Sequence, residues 1–313
     1  MTVLRFNSAK GKFWDQSSIP IGDRGIFYGG SGSGDTIDYV TITTTGNATS
    51  FGTALNSTWY RAGVASTTRG VVGADKDATG YIEYITIAST GNGTNFGNLS
   101  AGRAAVSGWS SDTRGLFAGG NYTGGVYSNV IDYITIASTG NATDFGDLTV
   151  TRAYTGGAGD STRALFAGGE TIASPYYNNT IDYVTIASTG NATDFGDLSI
   201  ARDYMGSTGA SSSTRSVWGG GLEASAGRVN TIEYVTTQTT GNATDFGDLT
   251  AATQFKAGTS NKTRGLFGGG YDGANSNTID YITIASTGNA TSFGNLTAAR
   301  SAPAAFSNSH GGL

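Results

Sequence analysis

The residues able to do chemistry are few, and most of them repeat. Cysteine is absent, and histidine occurs once, at His310. Zinc, copper and iron sites of the usual kinds need several His or Cys ligands. Ser-His-Asp and Cys-His catalysis need an imidazole beside the nucleophile. The chain supplies neither set, so no metal site, no cofactor and no catalytic residue is expected. His310 itself reads as a surface residue in a frayed terminal segment.

Arginine is the most regular charged residue. Eleven of the thirteen arginines fall at two recurring positions. One set is Arg24, Arg69, Arg114, Arg163, Arg215 and Arg264; the other is Arg61, Arg103, Arg152, Arg202 and Arg300. A structural role has them pairing, repeat by repeat, with an acid or with backbone carbonyls. The functional alternative is a ring of arginines holding an anion in a central channel. A ligand site normally breaks repeat symmetry, and these positions keep it.

Two further motifs carry possible chemistry. Asn-x-Thr recurs at Asn47, Asn92, Asn141, Asn191, Asn242 and Asn289 and is formally a glycosylation acceptor. Each copy follows a glycine, and Gly-Asn between strands is a turn signal because both residues tolerate positive φ. Asp-Phe-Gly-Asp at 144–147, 194–197 and 245–248 offers oxygens suited to calcium. Other copies carry Ser50 and Thr53, Asn95 and Asn98, or Ser292 and Asn295, which fits a small polar turn residue better than a cation ligand. A repeated acid also offers no obvious unique carboxylate pair of the kind that sugar hydrolysis needs.

These residues are set out by a repeat. Residues 131–148, Ile-Asp-Tyr-Ile-Thr-Ile-Ala-Ser-Thr-Gly-Asn-Ala-Thr-Asp-Phe-Gly-Asp-Leu, recur six times with few changes. The acid near the start of each copy is Asp38, Glu83, Asp132, Asp182, Glu233 or Asp280, at spacings of 45, 49, 50, 51 and 47 residues. A period near fifty points to propeller blades. Each period holds four short segments rich in β-branched and aromatic residues, such as 102–109, 113–120, 131–136 and 142–148, separated by Gly, Ser, Asn and Asp. In 131–136 both faces carry apolar side chains, as expected of a blade covered on both sides by its neighbours. The reading is an all-β, six-bladed propeller spanning 23–313. The chain begins its repeats at a second strand and finishes at a first strand, so pairing of the C-terminal strand with the N-terminal blade is expected to close the ring and remove two open edges.

Composition agrees. The 50 glycines lack a collagen triplet and serve as turn residues. A net charge of -5 argues against nucleic acid or anionic membrane as partner. No long apolar run is present, so neither a signal peptide nor a transmembrane segment is expected.

The Gly-Gly pair closing the second strand (Gly29-Gly30, Gly119-Gly120, Gly168-Gly169, Gly219-Gly220, Gly268-Gly269), the tyrosine of the third strand and the arginine near the first resemble the kelch repeat, a β-propeller module. Strings such as Asn-Thr-Ile-Asp-Tyr-Val-Thr-Ile-Ala-Ser-Thr-Gly-Asn-Ala-Thr-Asp-Phe-Gly-Asp-Leu at 179–198 are similar to those of kelch-like proteins of tailed bacteriophages of marine bacteria, including cyanophages. The resemblance covers 23–313. It implies a virion structural protein at the particle surface, such as a tail fibre, adhesin or decoration module, with other virion proteins or a host-surface glycan as partners. Its work would be binding. The alternatives are a carbohydrate-active propeller enzyme, a lyase or glycosidase, and a bacterial surface lectin, because one fold hosts many functions. An asymmetric cluster of acid, tyrosine or histidine at one channel mouth would favour the enzyme.

Two regions depart from the repeat. Residues 1–22 precede it and carry Arg5, Phe6, Lys10, Lys12, Phe13 and Trp14, which suits an arm that docks on another protein or lies across the propeller itself. The links between second and third strands vary, and they hold Tyr122, Tyr127, Tyr176, Tyr177 and Tyr271. Non-repeated aromatics on loops are the chain's candidate ligand- or partner-binding residues.

Overall fold

The computed structural model describes residues 4–7, 12–15 and 23–313, and its regular structure is all β. Among the described residues no helix is long and apolar enough to cross a membrane. Six four-stranded antiparallel sheets are arranged as the blades of a propeller. Blade 2 comprises Ala62–Ala65, Arg69–Gly73, Tyr81–Thr86 and Thr94–Asn98. Blades 3 and 4 open at Ser107–Ser110 and Gly156–Gly159, blades 5 and 6 at Ala210–Ser211 and Ala257–Ser260. In blade 1 the innermost strand is Ala304–Ser307, which pairs with Arg24–Gly30 so that Ala304 faces Tyr28 and Ser307 faces Gly25. Of the residues before the repeats, Leu4–Asn7 pairs with Lys12–Asp15. The docking role expected of 1–22 otherwise lies outside the described residues.

The strand pattern follows from burial on both faces. In Val130–Thr135, Ile131, Asp132 and Ile134 are buried while only Thr135 is exposed. Each apolar cluster is shared by two neighbouring blades, as when Ile82 and Phe96 of blade 2 pack with Phe117 and Ile134 of blade 3. Blades 6 and 1 share an equivalent one, built from Leu266, Ile279 and Phe293 with Phe27, Val40 and Ile42.

Both arginine sets serve this scaffold. Arg103, Arg152, Arg202 and Arg300 lie in the crossovers just before the first strands, not within them as the sequence suggested. They pair with Asp132, Asp182, Glu233 and Asp38 at 2.6, 2.8, 2.8 and 2.5 Å, with both partners almost fully buried. Blade 2 uses Arg61 with Glu83, and blade 6 uses Lys256 with Asp280 at 2.8 Å. Burial pushes the Arg152, Arg202 and Arg300 guanidiniums down in pKa, and the adjoining carboxylates push back. The same carboxylates accept hydrogen bonds from the segment leaving the preceding blade: Ser100 N donates to Asp132, Thr149 N to Asp182 and Thr297 N to Asp38, at 3.0 to 3.2 Å. The second set spans blades differently. Arg24, Arg69, Arg114, Arg215 and Arg264 each lie over the tyrosine of their own third strand, 4.4 to 4.7 Å from its centroid. They donate to a carbonyl of the next blade, for example Arg69 to Ile136 at 2.9 Å and Arg264 to Ile42 at 3.0 Å.

The sequon asparagines are also structural, by a different route from the turn expected. None of the asparagines takes positive φ, and the preceding glycine does so in four of the six copies. Each asparagine Oδ1 instead accepts the main-chain N–H at the end of the preceding blade's outer strand, as in Asn98 N to Asn141, Asp147 N to Asn191 and Asn295 N to Asn47, at 3.0 to 3.1 Å. The repeated Asp-Phe-Gly-Asp lies in that outer strand, Thr143–Asp147 in blade 3. The two-glycine turn at positive φ is also shifted in two blades, to Gly220-Gly221 and Gly269-Gly270, and in blade 2 it begins at Ala74 (φ 70°). At Gly119 a Cβ would meet the Arg152 carbonyl at 2.6 Å, so the pair lets the next crossover lie against it.

Asp182→Ala leaves the Arg152 cation buried without its counter-ion, and is expected to lower stability by about 3–5 kcal/mol. Asp144→Ala, on the exposed edge of a neighbouring blade, should stay within about 0.5 kcal/mol. Guanidinium unfolding midpoints compare the two; similar shifts would contradict the role given to the buried pair.

Candidate functional site at the channel mouth

The crossovers converge on the propeller axis, on the face that also carries the variable links. There, one residue per blade takes the left-handed backbone region: Tyr60 (φ 62°), Ala105 (55°), Tyr154 (58°), Tyr204 (51°), Phe255 (60°) and Ala302 (50°). For a residue with a side chain this costs roughly 1–2 kcal/mol, and such strain concentrates at ligand sites. The ring is stitched by its own main chain. Ala105 N donates to Tyr60 O, Tyr154 N to Ala105 O, Phe255 N to Tyr204 O and Ala302 N to Phe255 O, at 2.6 to 3.1 Å.

Four of the six positions are aromatic and they form a closed tetrad. Ring centroids are 5.4 Å apart for Tyr60 and Tyr154, 4.5 Å for Tyr154 and Tyr204, 4.5 Å for Tyr204 and Phe255, and 5.4 Å for Phe255 and Tyr60. All four rings are half-buried. They border a small recess, with room for little more than a water molecule, that extends towards Val106, Thr155 and Ser207. Its floor is supplied by blade 5. Tyr204 lies six residues before the first strand of its blade, against two in blade 4, and the extra backbone crosses the axis. Thr208 O accepts from Gly258 N, Ser207 O accepts from Gly108 N, and the Thr208 hydroxyl donates to Gly258 O at 2.8 Å.

Two acids stand beside the tetrad. Glu170 follows the Gly168-Gly169 turn of blade 4 and bonds Ala153 through its main chain in both directions. Its carboxylate accepts from the Tyr204 hydroxyl at 3.4 Å, and its charge acts on Tyr127. Asp203, in the crossover into blade 5, is 2% exposed, and its Oδ1 is buried with no hydrogen-bond partner. Burial, then the charge of Glu170, pushes the Asp203 carboxyl up to about 8. Burial and these two acids also push up the hydroxyls of Tyr127, Tyr154, Tyr177 and Tyr204. In the other blades the position of Glu170 is held by Ser31, Lys76, Asn121, Leu222 and Tyr271, and that of Asp203 by Trp59, Ala104, Ala153, Gln254 and Ser301. The repeat therefore breaks down at this mouth, ring by ring.

Of the tyrosines expected to bind, Tyr127 and Tyr177 belong to this cluster. Tyr122 turns its hydroxyl onto Ser128 Oγ at 3.1 Å, Tyr176 stands in solvent at 56% exposure, and Tyr271 lies under Arg228 at 5.6 Å. Sequence reasoning missed Tyr60, Tyr154, Tyr204, Phe255, Glu170 and Asp203. Subtracting the repeat from itself would have exposed them, since they are departures at otherwise regular positions. Blades 2 and 6 add a second signal: Thr58 and Thr253 replace the crossover arginine, and Arg61 or Lys256 follows the aromatic to remake the ion pair. Among the described residues no group of three or more His, Asp and Glu is disposed to hold a metal ion.

The opposite mouth corrects the reading of His310. It is 5% exposed, stacked edge-on against Trp109 at 4.9 Å. Gly312 N donates to Nδ1 at 3.0 Å, which leaves the proton on Nε2, 3.3 Å from Ala65 O. Residues 308–313 fold into this end, with Arg24 N donating to Asn308 and Gly311 N to Ser211 Oγ. A terminal position gave no hint of this burial.

No protein-family model matches the chain, and no curated protein matches it.

Burial pushes the His310 imidazole down from 6.5 to about 4. The folded pKa lies below the unfolded one, so the stability from the neutral ring is present above pH 6.5 and is lost as pH falls through about 4. Each pH unit of separation is worth about 1.4 kcal/mol. Unfolding midpoints measured across this window should fall more steeply for the natural protein than for His310→Asn; parallel curves would remove His310 from the account.

Proposed function

We propose that this chain is a binding module of a phage particle: a tail fibre, adhesin or decoration protein at the virion surface that holds a host-surface glycan or a neighbouring virion protein through its variable loop face. The observation that carries the reading is the channel mouth, where a repetitive scaffold gives way to a strained aromatic tetrad beside two acids. Ring faces and edges suit the C–H faces of sugars and the apolar groups of proteins, and half-buried aromatics on a rigid frame are the usual anchors of binding surfaces. The repeat's resemblance to kelch-like proteins of tailed phages supports the particle-borne part.

A carbohydrate-active enzyme is the second reading, and one observation favours it. Glu170 and Asp203 are unrepeated carboxyl groups at one mouth, with Asp203 pushed up in pKa by burial and by its neighbour, and sugar cleavage uses two carboxyl groups in unlike environments. Release of reducing ends from a bound glycan, abolished by Asp203→Asn, would replace the binding reading with this one.

Alanine already occupies two positions of the left-handed ring, at Ala105 and Ala302, so Tyr154→Ala with Tyr204→Ala is compatible with the backbone. This double variant is expected to keep its melting temperature within a few degrees while attachment to host cells or incorporation into particles drops about tenfold or more. Replacing Tyr122, Tyr127, Tyr176 and Tyr177 together with serine tests the surrounding loops in the same assays. Full attachment and assembly in both variants would sink the assignment of this face.

A further inference from the structure

We propose that the propeller axis holds a structural water molecule, bound by the main-chain N–H groups of Gly63 and Ala305 and by the hydroxyl of Thr259. The site lies below the tyrosine mouth and does not depend on the function proposed for that mouth.

An innermost strand has a partner on one side only, so half of its main-chain groups turn away from the sheet. In an antiparallel pair, facing residues alternate between bonded and non-bonded pairs. Ser66 N donates to Arg69 O at 2.9 Å at the end of the first hairpin of blade 2, so by alternation Gly63 faces Val72 in a non-bonded pair. Gly108, Gly157, Gly258 and Ala305 face Phe117, Phe166, Phe267 and Phe27 at the same position of their blades. The N–H groups of this ring therefore point at the axis. The blade 5 loop answers three of them: Ser207 O accepts from Gly108 N at 3.1 Å and Gly157 N at 3.3 Å, and Thr208 O accepts from Gly258 N at 2.8 Å. Entering from blade 5, the loop reaches blades 3, 4 and 6 and stops short of the far side. Gly63 N and Ala305 N, in adjacent blades 2 and 1, have no hydrogen-bond partner among the described residues.

Both groups border a chamber between the loop and the C-terminal residues, lined also by Thr208, Thr259 and His310, with room for about one water molecule. A buried main-chain N–H without a partner is rare, because nothing replaces the hydration it loses on folding. The two residues lie side by side: a Cβ on Gly63 would sit 2.6 Å from Ala305 O. One water oxygen accepts from both. Thr259 supplies the third contact. It is 3% exposed, its Oγ1 has no partner, and it lines the same chamber. Three hydrogen bonds are what a buried water usually makes. A halide ion would also accept two N–H bonds, but the described lining contains no Arg or Lys, and burial keeps His310 neutral by pushing its imidazole down to about 4. The chamber thus offers an anion no positive charge to offset its desolvation. Ala305 belongs to the strand that closes the ring, so the water completes on blades 1 and 2 the axial hub that the loop builds on the other side.

A crystal structure of the full chain grown in bromide tests this. It should show a peak of oxygen weight within about 3.2 Å of Gly63 N, Ala305 N and Thr259 Oγ1, with no anomalous bromide signal. A bromide signal at that point replaces the water by an anion and overturns the proposal, as does a chamber without density. Cross-relaxation between water and amide protons gives an independent readout in solution. Gly63 and Ala305 should show cross-peaks of the sign expected for a long-lived bound molecule, while Gly108 and Gly157, bonded to Ser207 O, should show none; equal behaviour of all four overturns the site. Thr259→Val, nearly isosteric, should speed hydrogen exchange at Gly63 and Ala305 about fivefold relative to Gly108 and Gly157, the scale of one lost hydrogen bond. The same change at all four amides would remove Thr259 and overturn the three-contact site. Should that variant fail to fold, the crystal and the cross-peaks of the natural protein decide.

Discussion

An ion pair taken almost wholly out of water in every blade is the constraint on which the other features depend. Isolated, such a pair is no source of stability, because desolvation cancels much of the attraction. Here the carboxylate is shared. Asp182 meets Arg152 of its own blade and Thr149, the segment arriving from the blade before, with a second bond from the Thr149 hydroxyl at 2.5 Å. Arg152 in turn donates to the carbonyls of Gly168 and Thr180 at 2.8 and 2.6 Å. The pair is thus the node at which a crossover is fixed against two strands of its sheet. The crossover's path then determines which residue reaches the axis in the left-handed conformation, and the whole mouth follows from that placement.

Much of this scaffold could be read directly from the chain. A fifty-residue period, strands apolar on both faces and acids recurring with arginines specify a propeller without reference to long-range contacts. The pairing of Arg103 with Asp132 was readable as regular charge with a regular partner. What escaped were geometries that spacing does not encode. Asn141 sits in a motif that resembles a turn, yet its side chain serves an adjacent blade because the link runs extended beside that blade's outer strand. His310 lies near the chain's end, where exposure is the default, yet it is drawn into an apolar channel end already walled by Trp109.

The candidate site was the least legible part, for a physical reason. Variation in loop length drew attention to Tyr122, Tyr176 and Tyr271, because insertions interrupt a repeat visibly. Tyr154 and Tyr204 sit inside conserved-length crossovers or beside a small excess, where a repeat hides a change of residue type. Glu170 and Asp203 look like two more acids in an acidic chain until the fold brings neighbouring blades to the same axis. Their significance is positional: adjacent blades and one mouth.

The left-handed ring has an implication for how such a surface can change. Its six positions share one backbone conformation, and four of them donate to the carbonyl of the preceding or a neighbouring ring residue, while the ring holds alanine, phenylalanine or tyrosine. The ion pairs and interblade cores lie elsewhere, so the energy that holds the blades together is separate from the identity of what the ring displays. Exchange at a ring position therefore disturbs its neighbours in the tetrad and leaves the ion pairs in place. One backbone path can therefore carry different side chains at the axis while the contacts that hold blade to blade stay the same.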